Sequence, residues 1–155
     1  MASELKIGDK APDFSLKNES GKTVALKALR GKPVVLYFYP KDDTPGCTKE
    51  ACGFRDFMAP IRKTGAVVLG VSLDDEASHQ KFIAKYDLPF SLLVDEDIKV
   101  SKAYGVYVQK NMYGKKYWGI KRSTFVIDAE GKLSAIFRKV KVDGHVDEVL
   151  AALKT

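Results

Sequence analysis

Two cysteines stand close together in the stretch YPKDDTPGCTKEACGF, residues 39–54. They are Cys47 and Cys52, five positions apart. This spacing differs from the C-x-x-C of dithiol redox pairs and zinc knuckles. It also does not enclose the long loop that a structural disulfide would close. Two interpretations of the thiols remain, a reactive role and an inert buried role.

The surroundings of Cys47 favour a reactive thiol. Residues 33–39, PVVLYFY, form a continuous apolar run typical of a strand buried on both faces, and Pro40 ends it. A helix is predicted from about Thr48 to Arg62, which puts Cys47 at its first turn. Free backbone N–H groups and the helix dipole stabilise an anion there, and the thiolate is the nucleophilic form of cysteine. The carboxyl ends of central strands are also where open α/β sheets usually bind ligands.

Two residues beside Cys47 each have two interpretations. The hydroxyl of Thr44, three positions earlier, could hydrogen-bond to the thiolate or to a substrate oxygen, or it could satisfy the backbone only. Pro40 could shield one side of a pocket, or it could simply terminate the strand. The spacing alone leaves both questions open.

The position of Cys52 raises a geometric problem. On a regular helix, residues five apart have Cα atoms roughly 8.7 Å apart, whereas a disulfide needs them within about 7 Å. Cys52 is therefore either a buried structural cysteine, or a partner of Cys47 that requires the helix to unwind. Gly53 follows directly and favours unwinding, since glycine costs about 1 kcal/mol relative to alanine within a helix.

Apolar runs alternate with amphipathic stretches along the rest of the chain. We expect an α/β fold in which helices cover both faces of a central mixed β-sheet, preceded by an N-terminal β-hairpin. The predicted elements are a hairpin turning at 18–22, strands at 33–39 and 66–73, a helix capped by Asp74 or Asp75, a strand at 92–94, a short helix ended by Gly105, an irregular stretch at 107–122, a hairpin turning at 129–132 and a helix over 144–154.

Length and composition limit the function classes. The 155 residues predict one domain, 1–155, and 45% apolar residues suffice for a core. The net charge of +6 is spread without a long basic run, which favours a solvated lysine-rich surface over nucleic-acid binding, even where lysines mix with Tyr117 and Trp118. We expect no membrane association, because no apolar run approaches about 20 residues. With no signal-peptide pattern, the expected location is the cytoplasm.

No metal or other cofactor is expected. The histidines, His79 and His145, lie on predicted helices without ligand-like neighbours, and the two cysteines offer no usable His/Cys spacing. The glycines form neither G-x-G-x-x-G nor a P-loop.

The eight residues from Pro40 to Cys47 resemble the P-x-x-x-T-x-x-C signature of the peroxiredoxins, and the continuation Thr48-Lys-Glu-Ala-Cys52 is similar to the bacterioferritin-comigratory-protein, or PrxQ, subfamily. The resemblance covers nearly the whole chain. It includes KIGDKAPDFSL at the start, GVSLDDEASHQKFIAKYDLPFSLLVDED in the middle and RSTFVIDAEGKL, whose first residue, Arg122, matches the family's active-site arginine.

The resemblance implies a thioredoxin fold and a thiol-dependent peroxidase. Cys47 would attack a hydrogen peroxide or organic hydroperoxide and become a sulfenic acid, while Thr44 and Arg122 hold the thiolate and polarise the O–O bond and Pro40 borders the substrate pocket. Cys52 would resolve the sulfenic acid as an intramolecular disulfide, which thioredoxin or a glutaredoxin-type dithiol reduces.

The family also implies a monomer. Glu50 matches a residue that supports the arginine in the family, although a glutamate in the first turn of a helix is also expected from the helix dipole. A non-catalytic binding or holdase protein on the same fold is the alternative function. Thiol–disulfide exchange of the thioredoxin type is weakened by the absence of C-x-x-C.

Overall fold

The structure, a computed structural model, describes residues 4–154. Its elements in chain order are β1 (Ser15–Asn18), β2 (Thr23–Ala25), a 3-10 turn (Leu26–Leu29), β3 (Val34–Phe38), α1 (Pro45–Asp56), α2 (Met58–Lys63), β4 (Val67–Ser72), α3 (Glu76–Tyr86), β5 (Ser91–Val94), α4 (Lys99–Ala103), β6 (Tyr107–Met112), β7 (Lys115–Ile120), β8 (Ser123–Ile127), β9 (Leu133–Phe137) and α5 (His145–Leu153).

A seven-stranded mixed sheet with the order β2-β1-β5-β4-β3-β8-β9 forms the centre of the molecule. Strands β3, β4 and β5 are parallel, and β8 pairs with β3 in the antiparallel direction. The predicted N-terminal hairpin is β1–β2, with Leu16 opposite Val24. All five residues of β3 are buried, as expected for a central strand covered on both faces. The predicted fold class is confirmed.

The alternation of side chains along β3 divides the core into two halves. Val35, Tyr37 and Tyr39 pack into a cluster with α1, α2, α3 and α5 on one face. Val34, Leu36 and Phe38 pack on the other face, where α4 and the residues before β1 cover the sheet. No helix within residues 4–154 is both long and apolar enough to cross a membrane.

The prediction that residues 107–122 are irregular is wrong, because most of them form the β6–β7 hairpin. Met112 pairs with Lys115 across a two-residue turn in which Tyr113 and Gly114 have φ of 52° and 81°. Positive φ at both central residues is the mark of a type I′ hairpin turn, for which Asn-Gly is the usual sequence signal. The hairpin is also largely exposed, so its strands lack the one-sided apolar alternation that would reveal them.

The helix predicted from Thr48 to Arg62 begins earlier and is broken in the middle. Pro45 is its first residue, a position where the missing N–H costs nothing. Phe57, with φ of −105° and ψ of 12°, separates α1 from α2. Pro60 explains the break, since a proline deep in a continuous helix would clash with the preceding turn, whereas in the first turn of α2 it is tolerated.

The packing of β3 against β4 generates a stability prediction. A Cβ at Gly70 would lie 2.7 Å from Leu92 Cδ2 and 2.9 Å from Tyr37 Cζ, so Gly70→Ala overpacks the core. We expect it to lower the free energy of unfolding by about 1–3 kcal/mol, measured by urea denaturation. The matched control is Gly119→Ala in β7, where the nearest atom lies at 3.5 Å. Equal stabilities of the two variants would contradict this packing.

Candidate active site

The loop between β3 and α1 places Cys47 at the third position of α1. The first intrahelical hydrogen bond runs from the Thr48 N–H to the Thr44 carbonyl at 2.8 Å. The amide of Cys47 therefore belongs to the group that a helix start leaves without intrahelical acceptors. The Cys47 side chain is only 2% exposed and packs in the core cluster beside Tyr37 and Ala51. Its burial strengthens every electrostatic contact that the sulfur makes.

Arg122 bridges Cys47 and Glu50. Its Nη2 donates to Cys47 Sγ at 3.3 Å, and its Nη1 donates to Glu50 Oε1 at 2.6 Å. The register of the sheet creates this contact, because Ser123 at the start of β8 lies opposite Phe38 at the end of β3. Arg122, one residue earlier, thus reaches the start of α1. The guanidinium stays charged, so a fixed positive charge lies beside the sulfur.

A glycine makes room for the guanidinium. A Cβ at Gly46 would lie 3.0 Å from Arg122 Nη2, closer than nine in ten real Cβ contacts. An added Cβ would therefore require the guanidinium to shift by a few tenths of an ångström. Gly46 thus has a steric role beyond shaping the turn before Cys47.

Glu50 is a buried carboxyl group with an unusual proton affinity. Burial raises the pKa of Glu50 to about 7, although the charge and hydrogen bond of Arg122 act in the opposite direction. Its second oxygen, Oε2, and the hydroxyl of Tyr37 are buried without a hydrogen-bond partner. Of the two interpretations of Glu50, support of the arginine agrees with the observed bond. The side chain faces Arg122 rather than serving only the helix dipole.

Thr44 and Pro40 border the same loop. Thr44 is the N-cap residue of α1, and its hydroxyl donates to the Lys41 carbonyl at 2.8 Å. The hydroxyl proton is thus used within the loop, and the oxygen lone pairs remain available to accept a hydrogen bond. Pro40 lies at the surface, directly after the buried Tyr39.

Both cysteines are free thiols on one continuous helix. Cys52 is partly exposed and lies where two surface grooves meet. One groove runs between α1 and the residues before α5, and the other lies towards the end of α3. The lining residues adjacent to Cys52 include Lys49, Gly53, Asp143, Lys85 and Tyr86. The thiol therefore faces solvent while Cys47 is buried.

The sequence analysis missed the buried polar contacts of the two histidines. His79 has a charged partner after all, because its Nδ1 lies 2.7 Å from Asp42 Oδ2. His145 likewise lies 2.7 Å from the Thr124 hydroxyl through Nε2. The signal for His79 was its spacing with Phe82, Ile83 and Tyr86, which places it on the buried face of α3. Within residues 4–154, no group of His, Cys, Asp and Glu side chains is arranged to hold a metal ion.

The β6–β7 hairpin contributes a further cation. Lys110 is half-buried, and both its burial and the charge of Arg122 lower its pKa, while Cys47 acts in the opposite direction. Trp118 is 58% exposed and stacks on Tyr107 at 5.6 Å between ring centroids. The expected irregular loop beside the arginine is thus an ordered hairpin, with its lysine facing the Cys47 region.

Comparisons with known proteins show the family of the chain. Residues 7–136 match the AhpC/TSA family. Peroxiredoxin Bcp of Bacillus subtilis is 53% identical over 97% of this chain and 96% of its own, and that of Escherichia coli strain K12 is 47% identical with the same coverage.

Solved structures of bacterial proteins share this fold. The bacterioferritin comigratory protein of Xanthomonas campestris, studied for alkyl peroxide reduction, has a TM-score of 0.87 at 46% identity, covering 91% of this chain and 90% of its own. The crystal structure of the C47S mutant of PrxQ from Xylella fastidiosa has a TM-score of 0.92 at 38% identity. The match covers 99% of this chain and 98% of that protein's chain. These likenesses do not favour the alternative of a non-catalytic binding protein. The chain belongs to the AhpC/TSA family and is a thiol-dependent peroxidase of the Bcp/PrxQ peroxiredoxin type.

Proposed function

We propose that residues 1–155 form a single peroxiredoxin domain that reduces hydrogen peroxide and organic hydroperoxides with Cys47 and is recycled through a Cys47–Cys52 disulfide. The observation that carries the proposal is the contact of Arg122 Nη2 with Cys47 Sγ at 3.3 Å. It puts a fixed positive charge beside a buried sulfur at a helix start, the arrangement a nucleophilic thiolate requires.

In the first step, the Cys47 thiolate attacks one oxygen of the peroxide. A sulfur–oxygen bond forms, the O–O bond breaks, and the leaving oxygen takes a proton to become water or an alcohol. Arg122 stabilises the negative charge that develops on the oxygens, and the lone pairs of Thr44 accept the hydrogen bond of the peroxide O–H. Pro40 borders the pocket on its exposed side. Cys47 leaves this step as a sulfenic acid.

In the second step, the Cys52 thiolate attacks the sulfenic sulfur. A sulfur–sulfur bond forms, the sulfur–oxygen bond breaks, and hydroxide leaves and is protonated to water. On the intact α1 the two Cα atoms are roughly 8.7 Å apart, too far for a disulfide. The helix must therefore unwind, and the ion pair of Lys49 with Asp143 and the bond from Arg55 to the Tyr86 carbonyl are two tethers that resist this.

A partner dithiol of the thioredoxin or glutaredoxin type then reduces the disulfide through a mixed disulfide. The partly exposed position of Cys52 between two grooves supports attack at this sulfur. An intramolecular disulfide needs no second subunit, so we propose a monomer. Two free thiols suit a reducing compartment, and we propose the cytoplasm.

Substitution of each cysteine separates the two steps. We expect Cys47→Ser to abolish peroxide consumption, because the nucleophile is lost. Cys52→Ser should form one sulfenic acid per chain and then stop or slow with thioredoxin as the reductant. A coupled thioredoxin assay and a sulfenic-acid probe would measure this. Unimpaired turnover of Cys47→Ser would overturn the proposed function, and normal recycling of Cys52→Ser would assign resolution to an external thiol.

Oxidation should loosen α1. We expect amides from Cys47 to Phe57 to exchange faster in the peroxide-treated protein than in the reduced protein, because the disulfide cannot form on the helix. Hydrogen exchange followed by mass spectrometry would measure this, with α3 as the internal reference. Peroxide-treated Cys52→Ser, which cannot form the disulfide, is the control and should keep its protection. Equal exchange of wild type in both redox states would contradict the unwinding step.

The buried carboxyl of Glu50 should make stability depend on pH. Its pKa rises from 4.5 to about 7 on folding, so the folded protein binds this proton more tightly than the unfolded chain. The corresponding stabilisation is complete below pH 4.5 and is lost as pH rises to about 7. We therefore expect wild type to lose up to about 3 kcal/mol relative to Glu50→Gln over this interval.

Urea denaturation of both proteins at several pH values would measure the difference. Above pH 7 the difference should be constant, because Glu50 is ionised in both states. A difference that does not change between pH 4.5 and 7 would contradict the raised pKa of this carboxyl.

A further inference from the structure

A buried ion pair lies beneath the loop that precedes Cys47. Asp42, in that loop, is 7% exposed, and His79 of α3 is fully buried. Three donors converge on the Asp42 carboxylate. The Tyr39 hydroxyl donates to Oδ1, while the Ser78 hydroxyl at 2.8 Å and His79 Nδ1 at 2.7 Å both face Oδ2. These three contacts satisfy both oxygens of the carboxylate.

The partners of His79 determine its protonation. Its second nitrogen, Nε2, lies 2.9 Å from the Leu93 carbonyl, which can only accept a hydrogen bond, so Nε2 carries a proton. Nδ1 faces the Asp42 carboxylate and therefore carries a proton as well. His79 is thus an imidazolium, and the two residues form an ion pair.

The charges around His79 are consistent with this assignment. Burial by itself would lower the pKa of His79, but the hydrogen bond and charge of Asp42, the Leu93 carbonyl and the charge of Asp74 together raise it. The groups that face the pair are Asp42 in the loop, Asp74 after β4, the Tyr39 hydroxyl after β3, Ser78 on α3 and the Leu93 carbonyl of β5. The stabilisation contributed by the charged imidazolium is therefore fully present below the ordinary histidine pKa of 6.5 and is lost as pH rises through the raised pKa of His79.

The same cluster holds the backbone of the loop. The Asp42 N–H donates to Asp74 Oδ2 at 2.8 Å, and Asp74 also accepts from the Ser72 hydroxyl. The next residue, Asp43, adopts a left-handed φ of 57°, and its carboxylate accepts from Lys85 Nζ and the Tyr86 hydroxyl. The loop is thus anchored to β4 and α3 immediately before Thr44 and the start of α1.

We propose that the Asp42–His79 ion pair is a positioning device that holds Thr44 and the first turn of α1 in place for the attack of Cys47 on peroxide, while α1 beyond that turn stays free to unwind. The inference rests on the proposed peroxidase cycle. All partners of the pair lie in β5, α3 and the residues that follow β3 and β4, none of which has to move for Cys52 to approach Cys47. The pair therefore acts on the attack step and not on the resolving step.

The test is a comparison of the two steps in His79→Gln. Glutamine carries both of its N–H donors on one nitrogen, so it can replace the donor at one ring-nitrogen position and places an acceptor oxygen at the other. Single-turnover mixing of the reduced protein with hydrogen peroxide gives the rate constant of peroxide loss, and quenched thiol counting gives the rate constant of disulfide formation. We expect peroxide attack to slow by about tenfold or more, since small displacements of reacting groups cost this much or more, while disulfide formation keeps its wild-type rate constant.

Ser101→Ala is the matched control for a lost buried hydrogen bond. Ser101 is fully buried on α4, and its hydroxyl donates to the buried Asp95 at 2.6 Å rather than to Asp42, Asp74 or His79. We expect this variant to lose stability but to keep both rate constants. The double variant Asp42→Asn/His79→Gln removes the unpaired buried charge and should recover part of the attack rate lost in His79→Gln. If His79→Gln does not fold, Ser78→Ala is the second variant. It removes one donor to Asp42 while the ring of His79 stays in place, and it should slow the attack step alone.

The outcomes separate the two proposals. Wild-type attack by folded His79→Gln or by Ser78→Ala would overturn the positioning role and leave the proposed function intact. Equal slowing of attack and disulfide formation in these variants would also overturn it, because a general structural defect affects both steps. If wild type itself consumed no peroxide, the proposed function would fail and this inference with it.

Discussion

The contact between Arg122 and Cys47 is the interaction on which the rest of the site depends. A buried thiolate would be costly without a fixed positive partner, since burial disfavours an isolated charge. Arg122 supplies that charge and is itself held by the buried carboxyl of Glu50. Its place follows from the antiparallel pairing of β8 with β3, which brings the start of one strand to the end of the other. Gly46 completes the contact by leaving space for the guanidinium.

Two opposing demands act on α1. Its start must be rigid, because peroxide attack needs the sulfur and its donors in fixed positions. Its middle must unwind, because the two cysteines cannot be joined on a helix. The structure separates these demands along the chain. The loop before α1 is tied to β4 and α3 by buried polar bonds, whereas the turn around Cys52 contains Gly53 and is tethered by bonds at its surface, such as that between Lys49 and Asp143.

Buried polar groups decide how firmly each part of the site is held. Glu50, Asp42 and His79 are titratable residues buried in the protein. Burying such a group is costly unless a partner pairs with it, and each of the three has one. Glu50 retains one oxygen without a partner and has a raised pKa, so its contact with Arg122 responds to pH near neutrality. By contrast, every polar atom of His79 has an acceptor. The contact that supports Arg122 thus leaves one buried oxygen unpaired, whereas both ring nitrogens of His79 have hydrogen-bond partners.

The sequence by itself determined most of the order of strands and helices, the place of Cys47 at a helix start and the geometric conflict between Cys47 and Cys52. These depend on local periodicity, on proline and glycine positions and on helix dimensions, which can be calculated from residue spacing. It missed the β6–β7 hairpin, because an exposed two-stranded sheet carries no one-sided apolar pattern and its Tyr113-Gly114 turn lacks the usual asparagine. It also extended one helix through Phe57, where Pro60 requires a break.

Only the tertiary structure decided which distant residues meet. Arg122 reaches Cys47 across 75 positions, and His79 reaches Asp42 across 37. Local propensities contain no information on such pairs, because they arise from strand register and from the packing of α3 against the sheet. A residue's charge can be read from the chain, but its partner, its burial and therefore its proton affinity exist only in the folded molecule.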